Sequence, residues 1–179
     1  TYDVIIKNGT VYNGTGSPGV KADVGITDDR IIQIGDLSEY EAEQVIDAEG
    51  KAVAPGFINM LSWAASPLMR DGRSMSDIKQ GVTLEIFGEG SSLGPVSESS
   101  DRPWSTYGGG LDYLVEQGVS TNVGSFVGAT TIRVHELGRN DVTPNEDQLH
   151  QRQELVRDAM REAAMGVGTS LSYPPAFYA

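Results

Sequence analysis

Through the first fifty positions apolar residues alternate with polar ones or gather in short blocks. "YDVIIK", "ADVGI", "RIIQIG" and "QVIDAEG" each read as a strand bounded by turn-forming residues. Asn8-Gly9 predicts a hairpin after the first block, and "TDD" predicts a turn between "ADVGI" and "RIIQIG". Residues 1–52 therefore read as a small antiparallel β module. After Pro55 the pattern becomes strand, loop, helix, repeated. "GFINML", "VTLEIFGEG", "STNVGSFVG" and "VGTSLSYPP" are the strands. "SMSDIKQG" is a short helix with Ser74 or Ser76 as its cap and Gly81 as its stop. The second half of "STYGGGLDYLVEQG" is helical, with Leu111, Leu114 and Val115 on one face. The longest helix has Thr143 as cap, Pro144 in its first turn and Glu146 completing a capping box. Leu149, Val156, Ala159, Met160 and Ala163 keep helical spacing along it, and Gly166 ends it.

Strands that alternate with helices imply a parallel sheet with right-handed crossovers, an α/β fold. Polar residues cluster at the C-terminal ends of these strands: Asn59 and Ser62, Glu85 and Glu89, Asn122 and Ser125, Ser170 and Ser172. A (β/α)₈ barrel of the TIM type builds its active face this way. An open doubly wound sheet is the second choice, but it wants a glycine-rich phosphate loop after its first strand, and "MLSWAASP" is not one. The domain reading is thus 1–52 for the β module and 53–179 for the first βα units of a barrel.

Composition narrows the chemistry. The net charge of -12 over 179 residues argues against a nucleic-acid partner. No apolar run approaches the roughly 20 residues of a membrane-spanning helix. The absence of cysteine removes disulfides, thiolate metal sites and Cys nucleophiles, and it suits either redox compartment. The expectation is a soluble protein, cytoplasmic or exported and matured. Asn8 and Asn13 each open an N-G-T triplet, which turn formation explains without glycosylation.

In chain order, the β module, the "PGF" strand, "GVTLEIFGEGSS", "NVGSFVGATTIRVHELG" and "AAMGVGTSLSYPPAFYA" resemble the amidohydrolase superfamily. Within it they are most similar to the N-acyl-D-amino-acid deacylases, or D-aminoacylases. The resemblance runs over essentially the whole chain. It implies a (β/α)₈ barrel with a β-sandwich built from both chain ends, and zinc-dependent hydrolysis of the amide bond of N-acyl-D-amino acids. A member of this group would read Asp-Met-His-Ser-His-Ala-Asp where this chain reads Asn59-Met60-Leu61-Ser62-Trp63-Ala64-Ala65. The two histidines of that motif converge because alternate residues of a strand face one side. Here Leu61 coordinates nothing, Trp63 offers only an N–H donor, and Asn59 and Ala65 stand in place of carboxylates. The first-strand metal site is degenerate.

The resemblance places Glu89 close to a cysteine ligand of related deacylases, although that cysteine aligns better with Gly90. Glu89 reads equally as a replacement ligand and as a solvated loop acid. Tyr173 is a candidate oxyanion contact, against the alternative of a half-buried tyrosine before Pro174-Pro175. Glu85 is expected to pair with a basic group in the wall. His135 reads as a structural hydrogen bonder and His150 as solvated. The family's later histidines and its catalytic aspartate fall beyond Ala179, so the resemblance implies the N-terminal half of such a protein. No cofactor is expected on this chain alone, whereas the intact family uses zinc. Two readings stay open: one piece of a split or truncated enzyme, or a catalytically dead half serving as a binding or structural subunit. Either way a half-barrel leaves edges unpaired. The expected partner is the C-terminal half as a second chain, or another copy, meeting residues 57–61 and 167–173.

Overall fold

The computed structural model describes residues 1–172 and 174–178. The chain divides into two compact units, Thr1–Pro55 and Gly56–Ala179. Among the described residues no helix is long and apolar enough to cross a membrane.

The first unit holds β1 (Tyr2–Lys7), β2 (Thr10–Val11), β3 (Val20–Lys21), β4 (Asp23–Thr27), β5 (Arg30–Gly35), β6 (Ala42–Asp47) and β7 (Ala52–Val53). They form a four-stranded sheet, β5-β4-β1-β6, and a three-stranded one, β3-β2-β7. β4 and β5 make the hairpin expected across "TDD", with Asp28 in the left-handed region at φ 51°. The pairing is mixed rather than purely antiparallel, because β1 runs parallel to β6 and β2 parallel to β7. Asn8-Gly9 closes no hairpin: it turns the chain from one sheet into the other. Asn8 sits at φ 64°, and its side-chain amide donates to Asp47 Oδ1 at 3.0 Å. A Cβ at Gly9 would lie 2.5 Å from Val53 Cγ2, so only glycine lets this corner close. Tyr2, Ile5 and Leu37 form the buried core of this unit, while Ile31, Ile34 and Val45 remain exposed.

The second unit contains β8 (Phe57–Asn59), α1 (Ala65–Leu68), α2 (Met75–Ile78), β9 (Val82–Phe87), α3 (Tyr107–Gln117), β10 (Asn122–Ser125), β11 (Val127–Gly128), α4 (Ala129–Leu137), α5 (Glu146–Arg161) and β12 (Val167–Gly168). A short 3₁₀ turn follows at Ala176–Tyr178. All pairings are parallel: β10-β9-β8 form one sheet and β11-β12 a second. The unit is therefore α/β. Leu68, Phe87, Leu93 and Leu114 pack into one core cluster, and Tyr107, Val127, Ile132, Ala159 and Ala164 into another. Burying a leucine as completely as Leu114 is worth about 1.5–3 kcal/mol.

Several elements differ from the sequence reading. The third strand breaks at Phe126 into β10 and β11. The fourth is confined to Val167–Gly168, with no strand over residues 169–172. α3 takes in all three glycines, because Thr106 caps it by accepting from the Gly109 N–H at 3.0 Å. The cap of α5 is Asn145, not Thr143. Its Oδ1 accepts from the Gln148 N–H at 2.8 Å, and Gln148 Oε1 accepts from the Asn145 N–H at 3.1 Å. Gln148 rather than Glu146 closes that box. α5 ends at Arg161, with Ala163 in the left-handed region at φ 67°, before Gly166 is reached.

Candidate functional site

β8 ends at Asn59, whose Oδ1 accepts the Leu61 N–H at 3.2 Å and shapes the turn that follows. Next to that turn, the Ser62 N–H donates to the Ile86 carbonyl at 2.9 Å, tying the segment to β9. Ser62 is buried, whereas Leu61 is 55% and Trp63 67% exposed. Leu61 and Trp63 thus lie on the open side of this turn and Ser62 on its buried side, with Met60 also exposed. Ala65 opens α1 and packs partly buried against the Leu68 cluster.

Below the tip lies a polar knot. The Glu85 carboxylate, fully buried, accepts from Ser62 Oγ at 2.6 Å, Ser74 Oγ at 2.7 Å and Thr121 Oγ1 at 3.2 Å. This corrects the expectation of a basic partner. The residue sits in the central strand β9, where three hydroxyls from three different loops converge and satisfy it without a second charge. Ser74 takes φ 45° there, turned inward rather than capping α2 with its side chain. A glutamate inside the apolar block "VTLEIF" was the only hint of this knot in the sequence.

At the loop ends a cleft of about 410 Å³ opens, lined among others by Trp63, Glu89, Gly90, Thr130, His135 and Arg139. Its size suits a small molecule. Gly88, just before it, lies at φ 98°, and a Cβ there would meet the Phe126 carbonyl oxygen at 2.2 Å. The backbones approach so closely that only glycine fits. Trp63 and Glu89 also line a smaller neighbouring cavity of about 210 Å³ with Ser62 and Ala65.

Of the residues singled out from sequence, the structure brings Trp63, Glu89 and His135 to one cleft. Asn59 and Leu61 do not line it. His135 is part-buried, and among the described residues its shielded Nδ1 has no hydrogen-bond partner. His150 is exposed on α5, its Nε2 3.9 Å from Glu154 Oε1. Tyr173 lies outside the described residues. Thr130 and Arg139 join the lining unannounced, because α4 was not read as a helix.

Among the described residues no group of three or more His, Cys, Asp or Glu stands close enough to hold a metal ion. Leu61 and Trp63 turn no lone pair toward the cleft, and Glu89 is a single carboxylate. Zinc needs three or four convergent ligands. The residues present do not fit it.

No protein-family profile matches the chain. The D-aminoacylase of Alcaligenes xylosoxydans xylosoxydans is 30% identical over 188 residues, covering 98% of this chain and 39% of the relative. A crystal structure of D-aminoacylase superimposes with a TM-score of 0.91 at 31% identity, over 99% of this chain and 40% of that one. An N-acyl-D-glutamate deacylase from Bordetella bronchiseptica, solved with zinc and a phosphonate mimic of the tetrahedral intermediate, matches with a TM-score of 0.84 at 27% identity. It too is covered to only 40%, against 99% of this chain. The chain therefore spans about two-fifths of the length of the relatives it matches. In sequence and in fold the chain is a homologue of about two-fifths of the D-aminoacylases.

Proposed function

We propose that this chain is the N-terminal part of a deacylase that hydrolyses the amide bond of N-acyl-D-amino acids, and that it needs the remainder of that protein to act. The observation that carries the reading is the fold match to D-aminoacylase over nearly the whole of this chain. On this reading Gly56–Ala179 is the first half of a (β/α)₈ barrel, and Thr1–Pro55 part of a β-sandwich.

The metal, the later ligands and the acid/base carboxylate would belong to the remainder of the protein. The residues of this chain would form one wall of the substrate cleft, with Trp63 where the relatives' motif carries a histidine. One study of D-aminoacylase describes activation by one metal and attenuation by a second. Loss of the first-strand pair is compatible with an enzyme that works on one ion. The non-catalytic alternative draws no support from relatives that are themselves deacylases.

Two features support the need for a remainder. Among the described residues β8 is an edge of its sheet and β12 is paired on one side only. Phe57, Ile58, Met60 and Leu61 beside the first, and Val167 and Leu171 at the second, are exposed apolar residues. A parallel sheet is normally covered on both faces.

The test is hydrolysis of a panel of N-acetyl-D-amino acids, with and without added zinc, by the complete gene product and by residues 1–179 alone. Metal-dependent turnover by the complete product and none by the shorter chain is expected. A zinc-loaded complete product that leaves every N-acetyl-D-amino acid intact would overturn the reading.

A further inference from the structure

The triplet Asn-Gly-Thr occurs twice in the first unit, and the fold treats the two copies differently. Asn8 is pinned at both of its nitrogens. Its N–H donates to Asp23 Oδ1 at 3.0 Å, and its carboxamide nitrogen to Asp47 Oδ1 at 3.0 Å. Gly9 behind it is buried against Val53, where even a Cβ would come within 2.5 Å of Cγ2. The Thr10 N–H is held by the Lys51 carbonyl at 2.9 Å.

Asn13 lies between β2 and β3, in an exposed run from Tyr12 to Pro18. Its Oδ1 accepts from the Thr15 N–H at 3.0 Å and from Thr15 Oγ1 at 2.7 Å. A backbone N–H can only donate, which identifies the accepting atom as the carboxamide oxygen. That oxygen carries no proton, so the Thr15 hydroxyl gives its own there and takes one from Ser17 Oγ at 3.0 Å. Two donors thus polarise the Asn13 carbonyl. The ring closed by the Thr15 N–H bond runs through the Gly14 nitrogen. Space around Gly14 is open: a Cβ there would come no nearer than 4.0 Å to anything beyond its chain neighbours. Among the described residues neither the Gly14 N–H nor the Asn13 carboxamide nitrogen donates a hydrogen bond.

We propose that Asn13 is a site of self-modification, at which the Gly14 nitrogen displaces ammonia from the Asn13 carboxamide, while Asn8 stays intact. The bond from the Gly14 nitrogen to Asn13 Cγ forms, and the carboxamide oxygen takes up negative charge. The Thr15 N–H and hydroxyl then bond an anion instead of a neutral oxygen, so they stabilise this step more than the starting amide. The Cγ–Nδ2 bond breaks, its electron pair leaves with the nitrogen, and the Gly14 proton, carried by water, completes the ammonia. Water opens the remaining cyclic imide at either carbonyl, leaving aspartate or its β-linked isomer at position 13. Both products add a negative charge to the loop, and the β-linked one lengthens its backbone by a methylene. At Asn8 the same chemistry requires the carboxamide to leave Asp47 and the Gly9 nitrogen to shift inside a packed corner.

Peptide mapping of the folded, complete gene product, incubated at mildly alkaline pH in water enriched in heavy oxygen, tests this. Heavy oxygen marks only residues hydrolysed during the incubation. Asn13 should take it up about tenfold faster than Asn8 or more, because Asn8 must first give up its bonds. Thr15→Val should slow Asn13 by about three- to tenfold, and Thr15→Ser should leave it near wild type. In urea, where both triplets lose the fold, the two rates should converge. Equal rates in the folded protein overturn the proposal, as does a Thr15→Val chain that converts as fast as wild type. A difference that survives in urea overturns it too, since the flanking residues and not the fold would then set the rates. No readout uses catalysis, so either result leaves the deacylase reading where it stands.

Discussion

Replacing Glu85 by alanine removes the one acceptor that ties three loops to the central strand of the second unit. The wild-type carboxylate accepts two short hydrogen bonds, at 2.6 and 2.7 Å, and one longer one at 3.2 Å. A hydrogen bond to a charged group contributes roughly 1.5–3 kcal/mol. The three share one acceptor and are not additive. Counting the short bonds at the low end and the long one as a fraction gives about 4 kcal/mol. That is roughly a thousandfold in the folding constant, and a large part of a domain's usual stability of about 5–15 kcal/mol. Glu85→Gln keeps the volume and one acceptor oxygen, so about half that loss is expected. Ser62→Ala and Ser74→Ala should each cost about 1–2 kcal/mol, and Thr121→Val less, because its bond is the longest. The assay is urea unfolding followed by tryptophan fluorescence. Part-buried Trp104, whose Nε1 donates to the Leu93 carbonyl at 2.8 Å, serves as the reporter. If Glu85→Ala lies within about 1 kcal/mol of wild type, or Thr121→Val costs more than Ser74→Ala, the hydroxyls do not depend on this carboxylate as argued.

Arg73 hydrogen-bonds Asp71 through its guanidinium and its backbone N–H, and this lowers the carboxyl to about 2. The contribution is complete above the ordinary carboxylate range and is lost as pH falls through about 2; an NMR titration with a midpoint near 4, or one that Arg73→Ala leaves unmoved, would refute it. Burial raises the Tyr107 phenol above its ordinary value, with its hydrogen bond to Ser125 working against this. Stability from this group is therefore whole below pH 10 and lost as pH climbs beyond it, and ultraviolet titration should show one tyrosine ionising after the others. Asn145→Ala breaks the capping box of α5 and should cost about 1 kcal/mol in urea unfolding. Residues 1–179 alone, dialysed and measured by elemental analysis, should hold well under one zinc per chain, because Leu61 and Trp63 supply no ligand.

The strands that could be read were those whose neighbours are close in sequence or whose apolar block is long. The β4–β5 hairpin and the body of β9 are of this kind. α4 was not legible. Thr130, Thr131, Ile132 and Val134 are β-branched, and the segment has little amphipathic pattern. Burial of Thr130, Ile132 and Arg133 fixes it as a helix instead. Since α4 supplies Thr130, Thr131, Val134 and His135 to the cleft, that part of the wall was hidden with it. The cap of α5 was ambiguous for a local reason. Thr143 and Asn145 are both good cap residues, and only the reciprocal bonds with Gln148 decide between them. Asn8-Gly9 carried a true turn signal. It could not say that the turn joins two sheets, since that depends on Val53 arriving from far along the chain.

The tip after β8 shows why the fold outlasts its metal ligands. The residues that anchor this segment are those on its buried side: Ser62 to Glu85 through its hydroxyl, and to Ile86 through its backbone. Leu61 and Trp63 point the other way, and neither takes part in the Glu85 knot. Exchanging an imidazole for leucine or indole at those positions therefore leaves every bond of the knot in place. Positions 61 and 63 are set apart from the bonds that hold the segment. The chemistry offered at positions 61 and 63 and the anchoring of the tip through Ser62 are independent properties. The sequence can consequently read as an amidohydrolase in its scaffold while its first-strand chemistry is gone.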